Sequence, residues 1–338
     1  MSWTASLPAV RLDAAGRIAD FGAPAAELTA LAQTAIASPL TQFGLIRFSG
    51  EETAAFLNGQ LSSDVRNLKP DEAQYSSYST PKGRMQASFL VWRQGDDYLL
   101  QIAAELQAAI QKRLSMFILR TKTRASDANT EIAQIGLAGP AAAGLVRAVG
   151  GEVPDAALKV WHGDTFSVIA LPGQRYQLAL PAGQAAALWA QLLAAGAVAA
   201  GDDAWRLSEI RAGSPWITAA TQEEFVAQMA NMELIGAVSF TKGCYPGQEI
   251  VARTQYLGKL KRRMYRVHIA ASAAAGDDVY SAEMNGQASG KLLLTAPAPQ
   301  GGIEALAVVQ IASLEHGLHL GALDGPALTV LDLPYEVA

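Results

Sequence analysis

From about residue 262 onward the sequence shows almost no helical period. "RMYRVHIA", "DDVYSA", "GQASGKLLLTA" and "EALAVVQIA" follow one another as short runs separated by Gly, Asp and Pro, and a further run lies at 321–333. Strands this short and closely spaced protect their edges by closing on themselves, so 261–338 is expected to form a C-terminal β-barrel.

The residues before it mix two periods. "TAAFLNGQL" at 53–61 reads as a short helix ended by Gly59. "QYSSYS" and "MQASFLVW" flank the turn Thr80-Pro81-Lys82-Gly83, and "YLLQI" returns after Gln94-Gly95-Asp96, which predicts a three-stranded meander. Leu106, Ala109, Ile110, Leu114 and Phe117 recur at three- and four-residue steps, so 103–119 is expected as an amphipathic helix packed on that sheet. Between 130 and 200, "EIAQIGLAG", an alanine-rich helix near 140, "DTFSVIAL", "RYQLAL" and a helix over 183–195 make another α+β unit. A chain of 338 residues is too long for one ordinary core, and its 50% apolar content can fill two or three.

Spacing removes several chemistries. The histidines at 162, 268, 316 and 319 lack metalloprotease spacing, and the chain has neither a G-x-S-x-G elbow nor the glycine-rich dinucleotide fingerprint. "GQASGK" at 286–291 is one residue short of a phosphate loop and lacks the hydroxyl residue after its lysine. A single cysteine makes no intrachain disulfide, and a structural zinc or an iron–sulfur cluster takes about four ligands. No resident metal is expected; Cys244 would touch one only as a transient ligand shared with a partner. The most apolar window, 185–200, is too short to span a bilayer, and "MSWTASLPAVRLD" carries no basic n-region with an apolar core. The expectation is a cytoplasmic protein with no membrane association.

Charge is concentrated around that cysteine. Between 241 and 266 lie Lys242, Arg253, Lys259, Lys261, Arg262, Arg263 and Arg266 against Glu249 alone, a local charge of +6 in a chain whose total is −5. Such a run is either a solvated face or an anion site for phosphate, a polyglutamate tail or RNA backbone. Cys244 itself has two readings. Free cysteines are commonly buried and inert. Here Gly243, Pro246 and Gly247 build a tight turn whose amides can face an anion, and Lys242 beside the thiol would stabilise a thiolate. Gln248 and Glu249 then supply an amide and a carboxylate, and "IVAR" resumes an ordered element.

"KGCYPGQE" at 242–249, followed by "VAR", resembles the signature of the YgfZ family of folate-binding proteins, relatives of the glycine-cleavage T-protein (aminomethyltransferase). The resemblance runs along most of the chain, through "FLNGQLSSDV" at 56–65, "TPKGRM", "EIRAGSPWI" and "DLPYEV". It implies an α+β fold, a three-domain ring like that of the T-protein. Segments 1–43 and 120–197 would form a first discontinuous α+β domain, 44–119 and 198–260 a second carrying KGCYPGQE, and 261–338 the barrel. Tetrahydrofolate or a derivative would lie in the central channel with Cys244 near its rim. Phe43 and Trp205 would flank the pterin, a flat ring needing a flat apolar face; for Trp205 the alternative is a plain core residue. Tyr245, Gln248 and Arg253 complete the cofactor-binding set.

Two positions depart from the pattern. Gln86 stands where the aminomethyltransferase places its catalytic carboxylate, and an amide cannot ionise, so glycine-cleavage activity is not expected. Arg211 stands where both relatives carry a glutamate for the pterin; a guanidinium only donates. Whether the chain is an enzyme is thus open. The resemblance implies a folate-binding accessory protein for iron–sulfur enzyme assembly or repair, affecting tRNA thiomethylation through a client such as the tRNA-thiomethylating enzyme. Cys244 would be the essential thiol, and Lys242 would lower its pKa and fix anions. The alternatives are a folate-dependent one-carbon transferase or demethylase and a tRNA-binding module working through the basic run. The acidic remainder of the chain counts against direct tRNA binding.

Overall fold

The computed structural model describes residues 3–7 and 10–337. The chain forms two compact units, each assembled from separated segments. The first comprises the segment up to Thr53, Leu68–Gln74 and Leu90–Ser208; the second comprises Ala54–Asn67, Tyr75–Phe89 and the segment from Glu209 onward. These divisions differ from the expected domain boundaries. Segments 44–119 and 198–260, expected as one domain, are shared between the two units, and the KGCYPGQE segment belongs to the same unit as the barrel.

The first unit contains a six-stranded sheet in the order Val160–His162, Ser167–Leu171, Arg175–Pro181, Ile132–Ala138, Ile36–Pro39 and Val198–Ala199. Only the last strand runs parallel to its neighbour. Side chains alternate faces along a strand. Ala133, Ile135 and Leu137 accordingly join Leu178 and Leu180 in one core with Leu145 and Val146 of the helix Ala142–Ala148 and Leu188 and Leu192 of the helix Ala185–Ala194. Gly136 faces the opposite way, and a Cβ there would lie 2.4 Å from the ring of Trp205. A bare backbone at 136 is what lets the indole sit against the sheet.

The strand Phe43–Ser49 pairs antiparallel with both Asp97–Ala103 and Arg124–Asp127. The helix after Asp97–Ala103 is shorter than its sequence period suggests. It spans Ala104–Ser115 and buries Leu106, Ile110 and Leu114, while Ala109 and Phe117 are exposed. Gln107 takes the remaining inward position, its amide donating to the Leu45 carbonyl at 3.3 Å and its carbonyl accepting from Asn129 at 2.7 Å. A polar residue with both groups satisfied thus occupies a site that periodicity assigns to an apolar one.

In the second unit the C-terminal strands close as expected. The barrel runs Arg262–Ile269, Ile303–Gln310, Ala288–Pro297, Asp278–Tyr280, Leu318–Leu320 and Ala327–Leu331, and the last strand pairs back on the first. Its interior is filled by small and branched side chains, including Val267, Val279, Leu292, Ala305, Ala307 and Val309. A slip in register between Leu292 and Leu294 bends the longest strand. Among the described residues no helix is long and apolar enough to cross a membrane.

Candidate functional site

The cysteine turn is built on a buried lysine. Lys242 sends its ammonium inward to donate to the backbone carbonyls of Asn58, the last residue of the helix Thr53–Asn58, and of Leu61 just past it. Its Nζ also sits 4.5 Å from the centroid of the Tyr245 ring. Burial pushes the Lys242 pKa down from 10.5 to about 8, against the pull of Asp64 and with a further push from Arg66. The expected role beside the thiol is therefore not what this geometry offers: the charge is spent on two carbonyls and a ring face. Lys242 acts as a pin between 58–61 and the cysteine turn.

The segment on the other side of that pin is also tied down. Ser239 N donates to the Ser62 carbonyl at 2.9 Å, and Lys242 N donates to Ser239 Oγ at 3.3 Å. Ser62 Oγ donates to the Ala237 carbonyl at 2.7 Å and accepts from Ser77 N at 2.8 Å. Ser63 Oγ donates to Ser76 Oγ at 2.7 Å. These hydroxyls let a polar serine string run through a buried region without stranded donors. Asn58, Leu61 and Ser62, Ser63 and Ser77 escaped sequence reasoning because these partners lie 13 or more residues away; the only local signal was the density of serines.

Two turns then meet backbone to backbone. Gly247 has φ +83°, and a Cβ there would lie 2.7 Å from the Thr80 carbonyl oxygen and 2.8 Å from Gly83 Cα. Gly83, at φ +72°, would in turn place a Cβ 2.9 Å from Ile250 Cβ. The predicted Thr80–Gly83 turn thus receives the cysteine turn on its face. Gly243 differs from Gly247, since a Cβ there meets nothing within 4 Å. Gly247→Ala is expected to lower unfolding stability by about 2 kcal/mol through combined strain and contact, with Gly243→Ala nearly neutral, as read from urea midpoints.

Gly247 precedes the helix Gln248–Tyr256, which anchors through Gln228 Nε2 donating to the Val251 carbonyl at 2.7 Å. Cys244 itself is exposed and free. The buried alternative does not hold. Tyr245 points inward instead; its hydroxyl finds no partner among the described residues, and burial pushes its pKa up to about 12. Gln248 is half-buried at the start of the helix, and Arg253 is exposed farther along it. The Gln248 backbone N–H donates to the Tyr245 carbonyl at 3.2 Å, which closes the turn into the helix.

The other nominated residues have different surroundings. Phe43 and Trp205 lie in the first unit at 7% and 1% exposure. Trp205 rests on Gly136, with the Arg175 guanidinium 5.5 Å from its ring centroid. Both are core residues here, without the open aromatic face expected of them. In the second unit Arg211 is not a free donor: its Nη2 donates to Glu304 Oε1 at 2.7 Å, and Arg266 Nε donates to Glu304 Oε2 at 3.0 Å. Arg263 is likewise paired with Glu233. The basic run is thus less basic outside than its sequence implies, because Arg263, Arg266 and Lys242 are used inside.

Gln86 is held by a residue that spacing could not reveal. Its Nε2 donates to Glu223 Oε1 at 2.7 Å, and its backbone carbonyl accepts from Gln222 Nε2 at 2.9 Å. Its Oε1 is buried with no partner among the described residues. Glu223 adopts φ +64°, uncommon for a non-glycine residue. The chain therefore sets an exposed carboxylate against the amide at 86, and leaves one buried acceptor unfilled. Among the described residues no group of three or more His, Cys, Asp or Glu could hold a metal ion.

Comparison with known proteins agrees with this architecture. The family model of the GCVT N-terminal domain matches residues 17–242. The tRNA-modifying protein YgfZ of Colwellia psychrerythraea is 34% identical over 229 residues, 67% of this chain and 69% of that one. That of Pectobacterium atrosepticum is 30% identical over 317 residues, 91% of this chain and 93% of its own. The crystal structure of glycine cleavage system aminomethyltransferase T from Bartonella henselae superposes with a TM-score of 0.81 at 18% identity, covering 96% of this chain and 94% of that one, a likeness of fold. With the family model covering most of the chain and YgfZ relatives aligned over nearly its whole length, this chain belongs to the YgfZ family, within the wider family of the GCVT N-terminal domain.

Proposed function

We propose that this protein supports tRNA modification as a folate-binding accessory protein, with Cys244 as its working group. The carrying observation is an exposed thiol on a turn fixed from both sides, by the Lys242 ammonium and by Gly247 against Thr80 and Gly83. A chain that merely needed a small residue there would have no reason to anchor an exposed cysteine so firmly. The relatives are named as tRNA-modifying proteins, which supports the direction of the reading. Within it we assign the finer role of maintaining an iron–sulfur enzyme of tRNA thiomethylation in the cytoplasm, the thiol serving as nucleophile, one-carbon acceptor or transient cluster ligand.

The second unit has donors and acceptors that suit a folate at one point. The pterin edge presents N–H donors, and the orphaned Gln86 Oε1 with the neighbouring Glu223 carboxylate forms an acceptor pair for them. Phe43, Trp205 and Arg211 do not fit such a role as they stand, the first two being buried and the third held by Glu304. When bound, a tetrahydrofolate would supply a one-carbon carrier; this chain's own part is to accept its donors at residues 86 and 223 and to hold the thiol.

Titration of the purified protein with tetrahydrofolate tests the ligand. Saturable binding weakened about tenfold by Glu223→Gln is expected, since loss of a charged hydrogen bond removes roughly 1.5 kcal/mol. No binding up to millimolar ligand overturns the folate half. In a deletion strain Cys244→Ala should fail to restore thiomethylated tRNA although the purified variant folds normally; full restoration overturns the thiol half.

A further inference from the structure

The helix that follows the cysteine turn ends in a surface that the site leaves unused. It closes on Tyr256, 68% exposed, and the next residue, Leu257, is 86% exposed. Phe240 meets Tyr256 edge to face, with centroids 6.1 Å apart and planes at 72°. Phe240 precedes Cys244 by four residues, so the chain can separate their Cα atoms by no more than about 14 Å. Arg253 lies three residues before Tyr256, on nearly the same side of the helix.

The charge around this aromatic pair is of one sign. From Ile250 to Arg262 the chain carries Arg253, Lys259, Lys261 and Arg262 and no acidic residue. Arg253, Lys259 and Lys261 are exposed, in contrast to Arg263 and Arg266 just beyond, whose charges are met by Glu233 and Glu304. A protein partner's apolar anchor would find little here apart from Leu257. A flat ring between cations instead matches a nucleobase, which stacks on the ring while its phosphates meet the charges.

We propose that Tyr256, braced by Phe240 and flanked by Arg253, Lys259 and Lys261, is a contact for single-stranded RNA beside Cys244. This deepens the reading of a role in tRNA modification, on which it rests, by giving the cysteine turn an RNA-facing surface. The base stacks on Tyr256, and the backbone runs along the three cations.

The test is fluorescence anisotropy of the full chain, without folate, against a labelled short single-stranded oligoribonucleotide at salt between about 50 and 200 mM. Tyr256→Ala is expected to weaken binding about tenfold or more, with Tyr256→Phe within about threefold of the parent, since stacking needs the ring and not the hydroxyl. The combined Arg253→Ala, Lys259→Ala and Lys261→Ala variant should lower the slope of log affinity against log salt by about 2. All these side chains are exposed, and circular dichroism checks that each variant keeps its fold. Three results overturn the proposal: no binding by the parent at low salt, equal affinity of Tyr256→Ala and parent, or polyglutamate competing as well as RNA, which would assign the surface to an acidic polypeptide. Tetrahydrofolate titration of Tyr256→Ala keeps the two readings apart, because loss of RNA affinity with folate binding intact in that variant concerns this surface alone.

Discussion

Glu304→Leu is expected to destabilise the protein by about 2–3 kcal/mol, as read from urea unfolding, because it leaves two partly buried guanidiniums without their counter-charge, a penalty that partial exposure to water reduces. Glu304 is buried and accepts from both Arg211 and Arg266. Burial alone would raise its carboxyl pKa above the ordinary 4.5, but the hydrogen bond and charge of Arg211, joined by Arg266, outweigh it and hold the group below that value. The sign follows from linkage. With the folded pKa depressed, the stabilisation is complete above about pH 4.5 and is lost as pH falls through the folded value. The parent should therefore lose stability on acidification through this group, and Glu304→Leu should lack that component. Combining Glu304→Leu with Arg211→Leu should cost less than the sum of the single changes, since each removes a charge the other would strand. A single-variant loss under about 1 kcal/mol would show that the triad is not holding the barrel strand to Arg211.

The second large effect concerns Lys242. Lys242→Met keeps the side-chain length but leaves the Asn58 and Leu61 carbonyls without their donor, and about 3 kcal/mol of stability should go with them. The pH dependence has the same sign as that of Glu304 but falls in an alkaline window. Burial lowers the folded pKa from 10.5 to about 8, so between these values the unfolded chain holds a proton that the folded chain has released. Stability should rise with pH across that window, by about 1–2 kcal/mol once screening by nearby water is allowed for, and be insensitive to this group below pH 8. Lys242→Met should abolish the rise. A parent whose stability is flat from pH 8 to 10.5, or an unchanged slope in the variant, would contradict the buried pin.

Much of the scaffold could be read from residue order. The Thr80–Gly83 turn and the barrel strands depend on local backbone preference and alternation, which a sequence carries directly. The miss at Phe117 comes from the helix ending at Ser115, while Gln107 takes an inward position because Leu45 and Asn129, distant in the chain, satisfy its amide. The domain boundaries were harder, since each compact unit is assembled from three separated segments.

The sequence by itself determined the family, the terminal barrel and the segment that carries the candidate thiol, because a motif and a period are properties of neighbours along the chain. Only the tertiary structure decided what the charges around that thiol do. Lys242 meets carbonyls some 180 residues away, Gln86 meets Glu223 across 137, and Arg211 meets Glu304 across 93. Seven cations in a row of text look alike. Buried, an arginine must find a partner and a lysine must find one or give up its proton, and folding alone determines which of them remain outside.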